Sequence, residues 1–419
     1  MKNGFRYALY LASCLLCGTS CQQEGPEIIL SPTEYISFGM PSVTLETVTK
    51  AATDGFLDEL PTDGSASFGV LGYCLAYNPG VTQVYNPNSG TSMWNLKRDL
   101  CPPSVFYKKQ VKVQANGACV YETPKKWYTD GPNTELGGIT LSETDEFRYS
   151  FFAYYPYEGD FFDITPGDAV TAGAPIVTFH LPWQGGTVDD ERPVSGVPDA
   201  MLAIETNVQR GSRTVDFNFN HILTGLGFQV NNYSQVGETV EEDSDKGVDL
   251  RIFSIKLKGT FYRSVKVDMT QAQATITYSA DDTYSGTFTV FQSDDPANGT
   301  LIPWQQDGSQ GSISMKPTTY LRLLPGNDEA QGYFGPKPSG EGEMNPYLEV
   351  DYQLGNNARK TEKLERPGDF NPRSGVRYTA QINWVNDAFV LIMQPDNGGI
   401  WEDGEADDGK EDNDDIIFQ

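Results

Sequence analysis

The residues best suited to acid–base chemistry in this chain are its two histidines, His180 and His221. Serine hydrolase triads and most zinc sites require a histidine, so any such site in this chain would have to include His180 or His221. They fall in different predicted domains, and His221 interrupts an apolar strand pattern, which is typical of a buried structural histidine. The sequence contains no GxSxG, no HExxH and no glycine-rich phosphate loop. We therefore predict a protein that is not an enzyme and has no cofactor or metal.

Carboxylates and tryptophans offer three weaker alternatives. A pair among the 57 Asp and Glu residues would suit glycoside hydrolysis, although no pair stands out. Residues 407–415 are rich enough in oxygen ligands to attract calcium, but they lack the spacing of an EF-hand loop and are interpreted as a solvated acidic arm. Trp127, Trp183 and Trp304 are candidates for stacking on sugars, whereas core packing is the commoner role of aromatic residues in β-sandwiches.

The N-terminus has the pattern of an export signal. Lys2 and Arg6 precede an apolar run over residues 7–17, which is too short to span a bilayer stably. Small residues precede Cys21, which lies where the apolar run gives way to a polar linker. We predict a signal peptide over residues 1–20 and lipidation of Cys21, with an ordinary signal peptide as the alternative.

Three further cysteines, Cys74, Cys101 and Cys119, lie in the body of the chain. Their number allows at most one disulfide bond, and their spacing matches no metal-binding motif. We predict that they are buried structural thiols.

The chain is strongly acidic, with a formal net charge of −27 and a pI near 4.3. Such a surface repels phosphate backbones and anionic lipid headgroups, which makes nucleic acid a poor partner. No stretch after the signal approaches 18 consecutive apolar residues, so we predict no membrane-spanning helix in the body.

Short segments of alternating apolar and polar residues predict an all-β fold. The clearest is residues 253–262, where the alternation continues along a whole strand. Residues 378–384 and 389–393 predict a β-hairpin, because an Asn-Asp pair between them favours a turn. No segment has a helical period, and the polar residues 357–366 are interpreted as the tip of a hairpin.

The strands form two groups, which predicts two β-sandwich domains in tandem, over residues 51–205 and 206–400. Before them, Ile36, Phe38 and Met40 alternate with small or polar residues and predict an isolated, half-buried strand.

The last segment, residues 401–419, carries nine Asp and Glu against one Lys and is interpreted as a flexible, solvated tail. It closes with Ile416, Ile417 and Phe418. An apolar end is unexpected there, because the sequence offers no local strand with which it would pair.

Several short motifs occur in an order and spacing that resemble one known family. They are Tyr35-Ile-Ser-Phe38, Val48-Thr-Lys-Ala51, Phe68-Gly-Val-Leu-Gly-Tyr73, Tyr149-Ser-Phe-Phe-Ala-Tyr-Tyr-Pro-Tyr157, Asp199-Ala-Met-Leu-Ala203, Phe217-Asn-Phe-Asn-His221-Ile-Leu, Tyr320-Leu-Arg-Leu-Leu-Pro325, Gly375-Val-Arg-Tyr-Thr379 and Trp401-Glu-Asp-Gly404. Together they resemble the fimbrillin-like lipoproteins, which are subunits of the type V pili of anaerobic Gram-negative bacteria. The resemblance extends from the lipobox to Trp401, nearly the whole precursor.

The resemblance implies two transthyretin-like (Ig-like) β-sandwich domains and export as a lipoprotein to the outer membrane. It also implies maturation by a trypsin-like protease that cuts after a basic residue behind the first strand. Loss of that strand would open a hydrophobic groove, which the C-terminal strand of a neighbouring subunit fills by β-augmentation. The expected partners are other pilus subunits, and the expected role is cell adhesion from the cell surface.

Two features depart from the family pattern. The family's usual cleavage residue is Arg, but no Arg lies between Arg6 and Arg98. Lys50 occupies the matching place, so we expect cleavage between Lys50 and Ala51 only by a protease that accepts Lys. The predicted donor strand, residues 416–418, is also short for filling a groove. The sequence therefore leaves two alternatives for its position in a pilus: a tip or anchor subunit, or a stalk subunit.

A second hypothesis keeps the same fold without polymerisation: a permanently anchored surface lipoprotein that binds a glycan or a host ligand. The two hypotheses differ in the fate of residues 21–50, which comprise the lipidated linker and the removable first strand. A polymerising subunit would lose this segment, whereas an anchored binder would keep it.

Overall fold

The fold was obtained as a computed structural model, which describes residues 34–44, 57–76, 92–127, 131–133, 139–141, 147–182, 191–192, 197–209, 214–232, 249–269, 273–302, 313–314, 321–326, 332–338, 345–368, 370–385, 388–395 and 416–417. Strands dominate these residues, as predicted, so the all-β fold class is confirmed. Within the same ranges, no helix is long and apolar enough to cross a membrane.

Among the described residues, twelve strands precede residue 222. They are β1 (Ser42–Thr44), β2 (Ser67–Ala76), β3 (Phe106–Val113), β4 (Cys119–Val120), β5 (Gly131–Asn133), β6 (Ile139–Leu141), β7 (Phe147–Tyr155), β8 (Phe162–Thr165), β9 (Ile176–His180), β10 (Glu191–Arg192), β11 (Met201–Val208) and β12 (Asn218–His221).

The remaining strands follow in the second half of the chain. They are β13 (Thr224–Asn232), β14 (Leu250–Tyr262), β15 (Ser264–Asp268), β16 (Gln273–Tyr278), β17 (Thr283–Gln292), β18 (Thr300–Ile302), β19 (Ile313–Ser314), β20 (Leu321–Leu323), β21 (Tyr347–Leu354), β22 (Lys360–Glu365), β23 (Arg377–Val385), β24 (Ala388–Pro395) and β25 (Ile416–Ile417).

The first sheet has seven strands in the order β1-β12-β11-β7-β2-β3-β4. Its central strands, β2 and β7, are apolar almost throughout, as expected for strands that are covered on both faces. They pair antiparallel, with Gly69 opposite Tyr154 and Ala76 opposite Phe147. One edge of this sheet is formed by β1 with β12, and the other is formed by β4. The candidate functional site lies at these two edges.

Three further sheets of five or six strands and one two-stranded ladder complete the described structure. The second sheet has the order β10-β17-β14-β21-β22, with β18 beside β14, and the third has the order β19-β13-β23-β24, with β20 beside β13. A fourth sheet has the order β25-β16-β15-β9-β8, and β5 pairs with β6. Since β23 and β24 are antiparallel neighbours, the hairpin predicted from residues 378–393 is confirmed.

The apolar side chains form two cores. One packs against a single face of the first sheet and contains Phe68, Phe151 and Phe217. The other packs against the opposite face of that sheet, through residues such as Tyr73 and Phe152, and continues through the second, third and fourth sheets. The first sheet therefore divides the smaller core from the larger one.

The sheets join chain segments from both sides of the predicted domain boundary at residues 205 and 206. β11 spans that boundary, and β12 belongs to the first sheet. β9 and β15 also pair across it, with Phe179 opposite Val265. The division into residues 51–205 and 206–400 stays a prediction.

Two local predictions were wrong. Residues 93–97 form a short helix, α1 (Met93–Lys97), which begins where the Ser92 hydroxyl accepts a 3.1 Å hydrogen bond from the Asn95 N–H. Five residues make about one and a half turns, too short to produce a helical period in the sequence. Most of residues 357–366, interpreted as a hairpin tip, form the edge strand β22 instead.

Candidate functional site

Residues 34–44, called the first segment below, complete one edge of the first sheet. The Ile36 N–H donates a 2.8 Å hydrogen bond to the Lys125 carbonyl, and Phe38 forms an antiparallel bridge with Cys119 in β4. The edge of the sheet at β4 is therefore paired with the first segment.

The same segment pairs with the opposite edge of the sheet. The Gly39 N–H donates to the Val215 carbonyl over 3.0 Å, and the Val215 N–H donates to the Ser37 carbonyl over 2.8 Å. β1 continues this contact as a parallel partner of β12, with Val43 opposite Phe219. The first segment thus joins both edges of the seven-stranded sheet and closes it.

Two side chains of the first segment enter the smaller core. Ile36 and Phe38 are 0% and 4% exposed. The Phe38 ring stacks on Phe217, with centroids 5.7 Å apart and an interplanar angle of 16°, and meets Phe68 and Phe151 edge to face at 6.4 and 6.0 Å. The space that these two side chains fill is an apolar groove, because the residues that line it are themselves core residues.

The rest of the first segment departs from the predicted alternation. Met40 is 38% exposed, although the alternation placed it inside, and Ser37 is 8% exposed, although the alternation placed it outside. The physical reason is that the segment is not one regular strand: Tyr35 and Phe38 form isolated bridges, and continuous pairing is confined to β1.

Hydrogen bonds and charges hold the N-terminal end of the first segment. The Tyr121 hydroxyl donates a 2.6 Å hydrogen bond to the Ile36 carbonyl, and burial raises the pKa of this tyrosine. Lys126 forms an ion pair with Glu34, and its ammonium lies 5.1 Å from the centre of the Tyr35 ring. The hydrogen bond with Glu34 is the main cause that raises the pKa of Lys126.

The C-terminal end of the first segment is held by hydroxyl groups. Ser42 and Thr44 donate hydrogen bonds of 3.0 and 2.9 Å to the side-chain carbonyl of Asn218 in β12. Each end of the segment is therefore fixed by side chains as well as by the backbone.

The structure gives the apolar end of the chain a partner. Ile416 and Ile417 form β25, which lies antiparallel to β16 of the same chain, with Ala274 opposite Ile416 and Gln273 opposite Ile417. The partner is not a strand nearby in the sequence, as expected, but the distant strand β16. Phe418, the third residue of the predicted donor strand, lies outside the described residues.

The predicted lipidation site at Cys21 and the predicted cleavage site between Lys50 and Ala51 also lie outside the described residues. The first segment ends at Thr44, and the description resumes at Leu57, so the predicted cleavage site falls between two described parts of the chain.

The two histidines occupy different surroundings. His221 is buried, and its Nδ1 lies 2.8 Å from a carboxylate oxygen of Asp199. Arg322 lies near the same carboxylate, and burial lowers the pKa of this guanidinium even though Asp199 acts in the opposite direction. His180 is partly exposed and lies 3.0 Å from Asp163. The surroundings of His221 agree with the structural role predicted for it.

The cysteines and metal ligands offer no reactive centre in the described part of the chain. Cys74, Cys101 and Cys119 form no disulfide bond with one another, and the prediction that they are buried holds fully only for Cys74, because the other two are partly buried. Burial raises the pKa of Cys74, and it raises the pKa of Cys119 to about 12. No group of three or more His, Cys, Asp or Glu in the described ranges is placed to hold a metal ion, and residues 407–415 lie outside those ranges.

Trp127 belongs to the core rather than to a sugar-binding surface. It is 3% exposed and packs edge to face on Tyr149, with centroids 4.8 Å apart. The suggestion that it stacks on sugars is therefore wrong. Trp183 and Trp304, the other two candidates, lie outside the described residues.

Sequence reasoning found Ile36 and Phe38 but missed the side chains that hold them. Tyr121 and the ion pair between Lys126 and Glu34 were not singled out, because partners so far apart in the chain leave no periodic signal. The one available signal was charge: residues 92–127 carry seven Lys and Arg against two Asp and Glu in an otherwise acidic chain.

Comparison with known proteins assigns part of the chain to a family. The model of a family described as fimbrillin-like matches residues 128–332. No curated protein matches the chain.

Several solved structures resemble the chain at low sequence identity. A fimbrial protein from Bacteroides vulgatus is 15% identical, with 86% of this chain and 98% of that chain covered and a TM-score of 0.47. A proposed cell adhesion protein from Bacteroides ovatus is 15% identical, with coverages of 86% and 96% and a TM-score of 0.35. Another, from Parabacteroides distasonis, is 11% identical, with coverages of 86% and 92% and a TM-score of 0.38.

The matched residues 128–332 include β7, β11 and β12, which are three of the strands of the sheet that the first segment closes. The family match supports a pilus- or adhesion-type protein of the cell surface. Over residues 128–332, it also confirms the resemblance to the fimbrillin-like family that the sequence motifs indicated.

Proposed function

We propose that this protein is a structural subunit, or a tip or anchor adhesin, of a surface pilus. In this proposal it assembles by donor-strand exchange after proteolysis removes its first strand, and it acts in adhesion without catalysing a reaction. The family match supports the pilus and adhesion part of the proposal. The assembly mechanism rests on the geometry of the first segment.

The observation that carries the proposal is that residues 34–44 close the first sheet: β1 lies beside β12, and Phe38 bridges to Cys119 in β4 at the other edge. Ile36 and Phe38 supply two buried side chains to the smaller core. If the segment leaves, two strand edges and an apolar groove are exposed together. Exposed edges and grooves of this kind recruit another strand, because main-chain hydrogen bonds supply affinity and alternate side chains fill the groove.

The predicted donor is the C-terminal end of a neighbouring subunit, Ile416, Ile417 and Phe418. In the isolated chain, Ile416 and Ile417 pair with the neighbouring strand β16. A ladder of two residues is short, so we expect it to exchange readily for a groove that offers partners on both sides and apolar pockets. Residues 402–415, with nine Asp and Glu, would serve as the arm that reaches the neighbour.

Export and maturation are the parts of the proposal that come from the sequence. A signal peptide over residues 1–20 and lipidation at Cys21 would take the precursor to the outer membrane. Cleavage between Lys50 and Ala51 would then free the first segment together with its lipid anchor. Other pilus subunits are the proposed partners.

The alternative is a surface lipoprotein that binds a glycan or a host ligand and does not polymerise. It keeps residues 21–50 and therefore keeps the closed sheet. The burial of Trp127 removes one of the residues proposed to stack on sugars, which weakens this alternative.

The experiment that tests the proposal is mass spectrometry of the N-terminus of the protein taken from intact cells, with soluble, membrane and high-mass fractions analysed separately. An N-terminus at Ala51 in high-mass assemblies is the expected result. An acylated Cys21 as the only N-terminus in every fraction would overturn maturation at Lys50 and favour an anchored lipoprotein.

A further inference from the structure

Strand β24, residues Ala388–Pro395, forms an edge of the third sheet. It pairs with β23 along one side, and no strand within the described residues pairs with its other side. With eight residues, it is the longest edge strand of the described sheets. A sheet edge of this length presents a row of backbone N–H and C=O groups with which another strand can pair.

β24 lacks the charges that protect an edge strand. Edge strands of soluble proteins commonly carry charged side chains, especially lysines, which discourage pairing with another chain. The edge strand β22 follows this rule, with the sequence Lys-Thr-Glu-Lys-Leu-Glu and an ion pair of 2.8 Å between Lys363 and Glu365. β24, with the sequence Ala-Phe-Val-Leu-Ile-Met-Gln-Pro, contains no charged residue. Of these two edges, β24 is therefore the one suited to pairing.

Both faces of β24 offer apolar side chains to an added strand. On the outer face, Val390 and Ile392 are 45% and 47% exposed. On the inner face, Leu391 and Met393 are only partly buried and line an apolar cleft, whose other wall includes Leu364 of β22. A strand laid along β24 with apolar residues on both of its own faces would remove all of these side chains from water.

β24 is complementary to itself when two copies run antiparallel. If Leu391 lies opposite Leu391 of a second copy, then each Val390 lies opposite Ile392, and each Phe389 lies opposite Met393. Residues opposite one another in an antiparallel pair lie on the same face of the sheet. The exposed side chains therefore meet on one face, and the side chains that face the cleft meet on the other. One strand serves both copies, as a two-fold symmetric interface requires.

The acidic tail favours the antiparallel direction. Residues 402–415 follow β24 closely in the sequence and carry nine Asp and Glu against one Lys. Parallel pairing of two β24 strands would bring both tails to the same end of the pair, where like charges repel. Antiparallel pairing sends the two tails away from opposite ends. Charge therefore selects the direction that the apolar side chains also fit.

We infer that β24 pairs antiparallel with β24 of a second copy of this chain, over residues 388–394 and with Leu391 opposite Leu391. Seven residues from each copy form less than a standard protein–protein interface, so we expect a dissociation constant above about 1 μM. The contact uses the third sheet, whereas the first segment closes the first sheet, so it is open to the chain before and after cleavage at Lys50. In pili, and here it rests on the proposed function, the same contact repeated along two filaments joins them side by side.

A charge placed on the strand edge tests the contact. Ile392→Lys should raise the dissociation constant of the purified full-length chain at least about tenfold, because each copy then sets a lysine against Val390 of the other. Sedimentation equilibrium measures the constant. Leu301→Lys is the matched control: it makes the same charge change at a strand residue that is 39% exposed in the second sheet, and it should change the constant less than about twofold. Both positions are exposed, so the two variants should keep the thermal midpoint of the unmodified chain within about 2 °C.

A cysteine at the centre of the pair tests the register. Leu391→Cys places the cysteines of two copies opposite each other, with Cα atoms about 4.5–5.5 Å apart, which allows a disulfide bond. Oxidation with copper phenanthroline should therefore cross-link this variant into dimers. Met393→Cys is the control, because its two cysteines lie roughly 14 Å apart in the same register and should not cross-link. The six cysteines already in the chain are common to both variants and give the background.

The C-terminal tail of another copy is the rival occupant of this edge. Phe418→Asp should leave the dissociation constant unchanged if β24 pairs with itself, whereas it should abolish the association if the tail covers β24. Salt gives a second distinction. Each chain carries a formal net charge of −27, so self-pairing through an uncharged strand should become several-fold tighter as the ionic strength rises from about 0.05 to 0.5 M and screens the repulsion between the copies.

Several results would overturn the self-pairing of β24. They are the absence of association at about 1 mM chain, the same dissociation constant for Ile392→Lys and Leu301→Lys, equal cross-linking of Leu391→Cys and Met393→Cys, and loss of association in Phe418→Asp. None of these measurements depends on cleavage at Lys50, and the uncleaved chain should associate as well as the chain that begins at Ala51. Donor-strand exchange and the pairing of β24 therefore succeed or fail separately.

Discussion

The Leu57 N–H donates a 2.7 Å hydrogen bond to the carboxylate of Asp199. Leu57 is the first described residue after the predicted cleavage site at Lys50 and Ala51. The other oxygen of the same carboxylate contacts the buried ring of His221. One carboxylate therefore ties the region that would become the new N-terminus to a part of the core that proteolysis leaves in place.

Removal of that carboxylate should destabilise the protein. We expect Asp199→Ala to lower the free energy of unfolding by about 3 kcal/mol, because it breaks a buried pair and removes the acceptor of the Leu57 N–H. Urea denaturation measures the loss. Asp163→Ala is the control, since the carboxylate of Asp163 beside His180 is 84% exposed and its removal should change little. Similar losses in both variants would contradict the role assigned to Asp199.

The side chain of Phe38 should make a large contribution to the stability of the precursor. We expect Phe38→Ala to cost about 3–5 kcal/mol, because it empties a pocket lined by aromatic rings. The fluorescence of Trp127, which belongs to the same core, is the signal to follow during urea unfolding. Met40→Ala, in the same segment but 38% exposed, should cost less than about 1 kcal/mol. A comparable cost at Met40 would show that the pocket of Phe38 is not special.

The parts of the site that depend on local pattern were predictable from the sequence. Ile36 and Phe38 lie two residues apart in an alternating stretch, and both are buried as that alternation requires. The hairpin of β23 and β24 was also predictable, because a turn signal lies between two apolar runs. Short local patterns of this kind depend only on neighbours in the chain.

The parts that depend on pairing between distant segments were not predictable. Ile416 lies opposite Ala274, and no feature of the tail indicates that β16 is its partner. Likewise, β9 and β15 pair although they lie on different sides of the predicted domain boundary. The register between distant strands is set by tertiary packing, to which a single sequence gives no direct access.

The thiol of Cys119 should report whether the first segment is in place. Cys119 lies opposite Phe38, and burial raises its pKa to about 12, so at pH 8 about one thiol in ten thousand is ionised. We expect slow alkylation in the full-length chain and faster alkylation in a chain that begins at Ala51, because loss of the first segment uncovers this edge. Labelling with iodoacetamide, followed by peptide mass spectrometry, measures both rates.

The same labelling experiment contains its control. Cys101 packs against the larger core, on the opposite face of the first sheet, and should be alkylated at the same rate in both forms of the chain. Equal alkylation of Cys119 in the two forms would mean that the first segment does not cover it.

The raised pKa of Cys119 also gives the stability of the folded chain a defined dependence on pH. The folded pKa lies above the ordinary value of 9.0, so the free energy of unfolding falls as pH rises from about 9 towards 12.

The predicted cleavage site gives the most direct prediction about assembly. We expect Lys50→Gln to abolish the N-terminus at Ala51 and to reduce high-mass assemblies by at least about tenfold, because the first segment then stays in the groove and blocks the donor strand. Mass spectrometry of the N-terminus and gel filtration of detergent extracts measure the two effects together. Lys50→Arg is the matched control and should keep both cleavage and assembly, since a trypsin-like protease accepts either basic residue. Assemblies that form undiminished from uncleaved Lys50→Gln protein would require a mechanism in which the first segment never leaves the sheet.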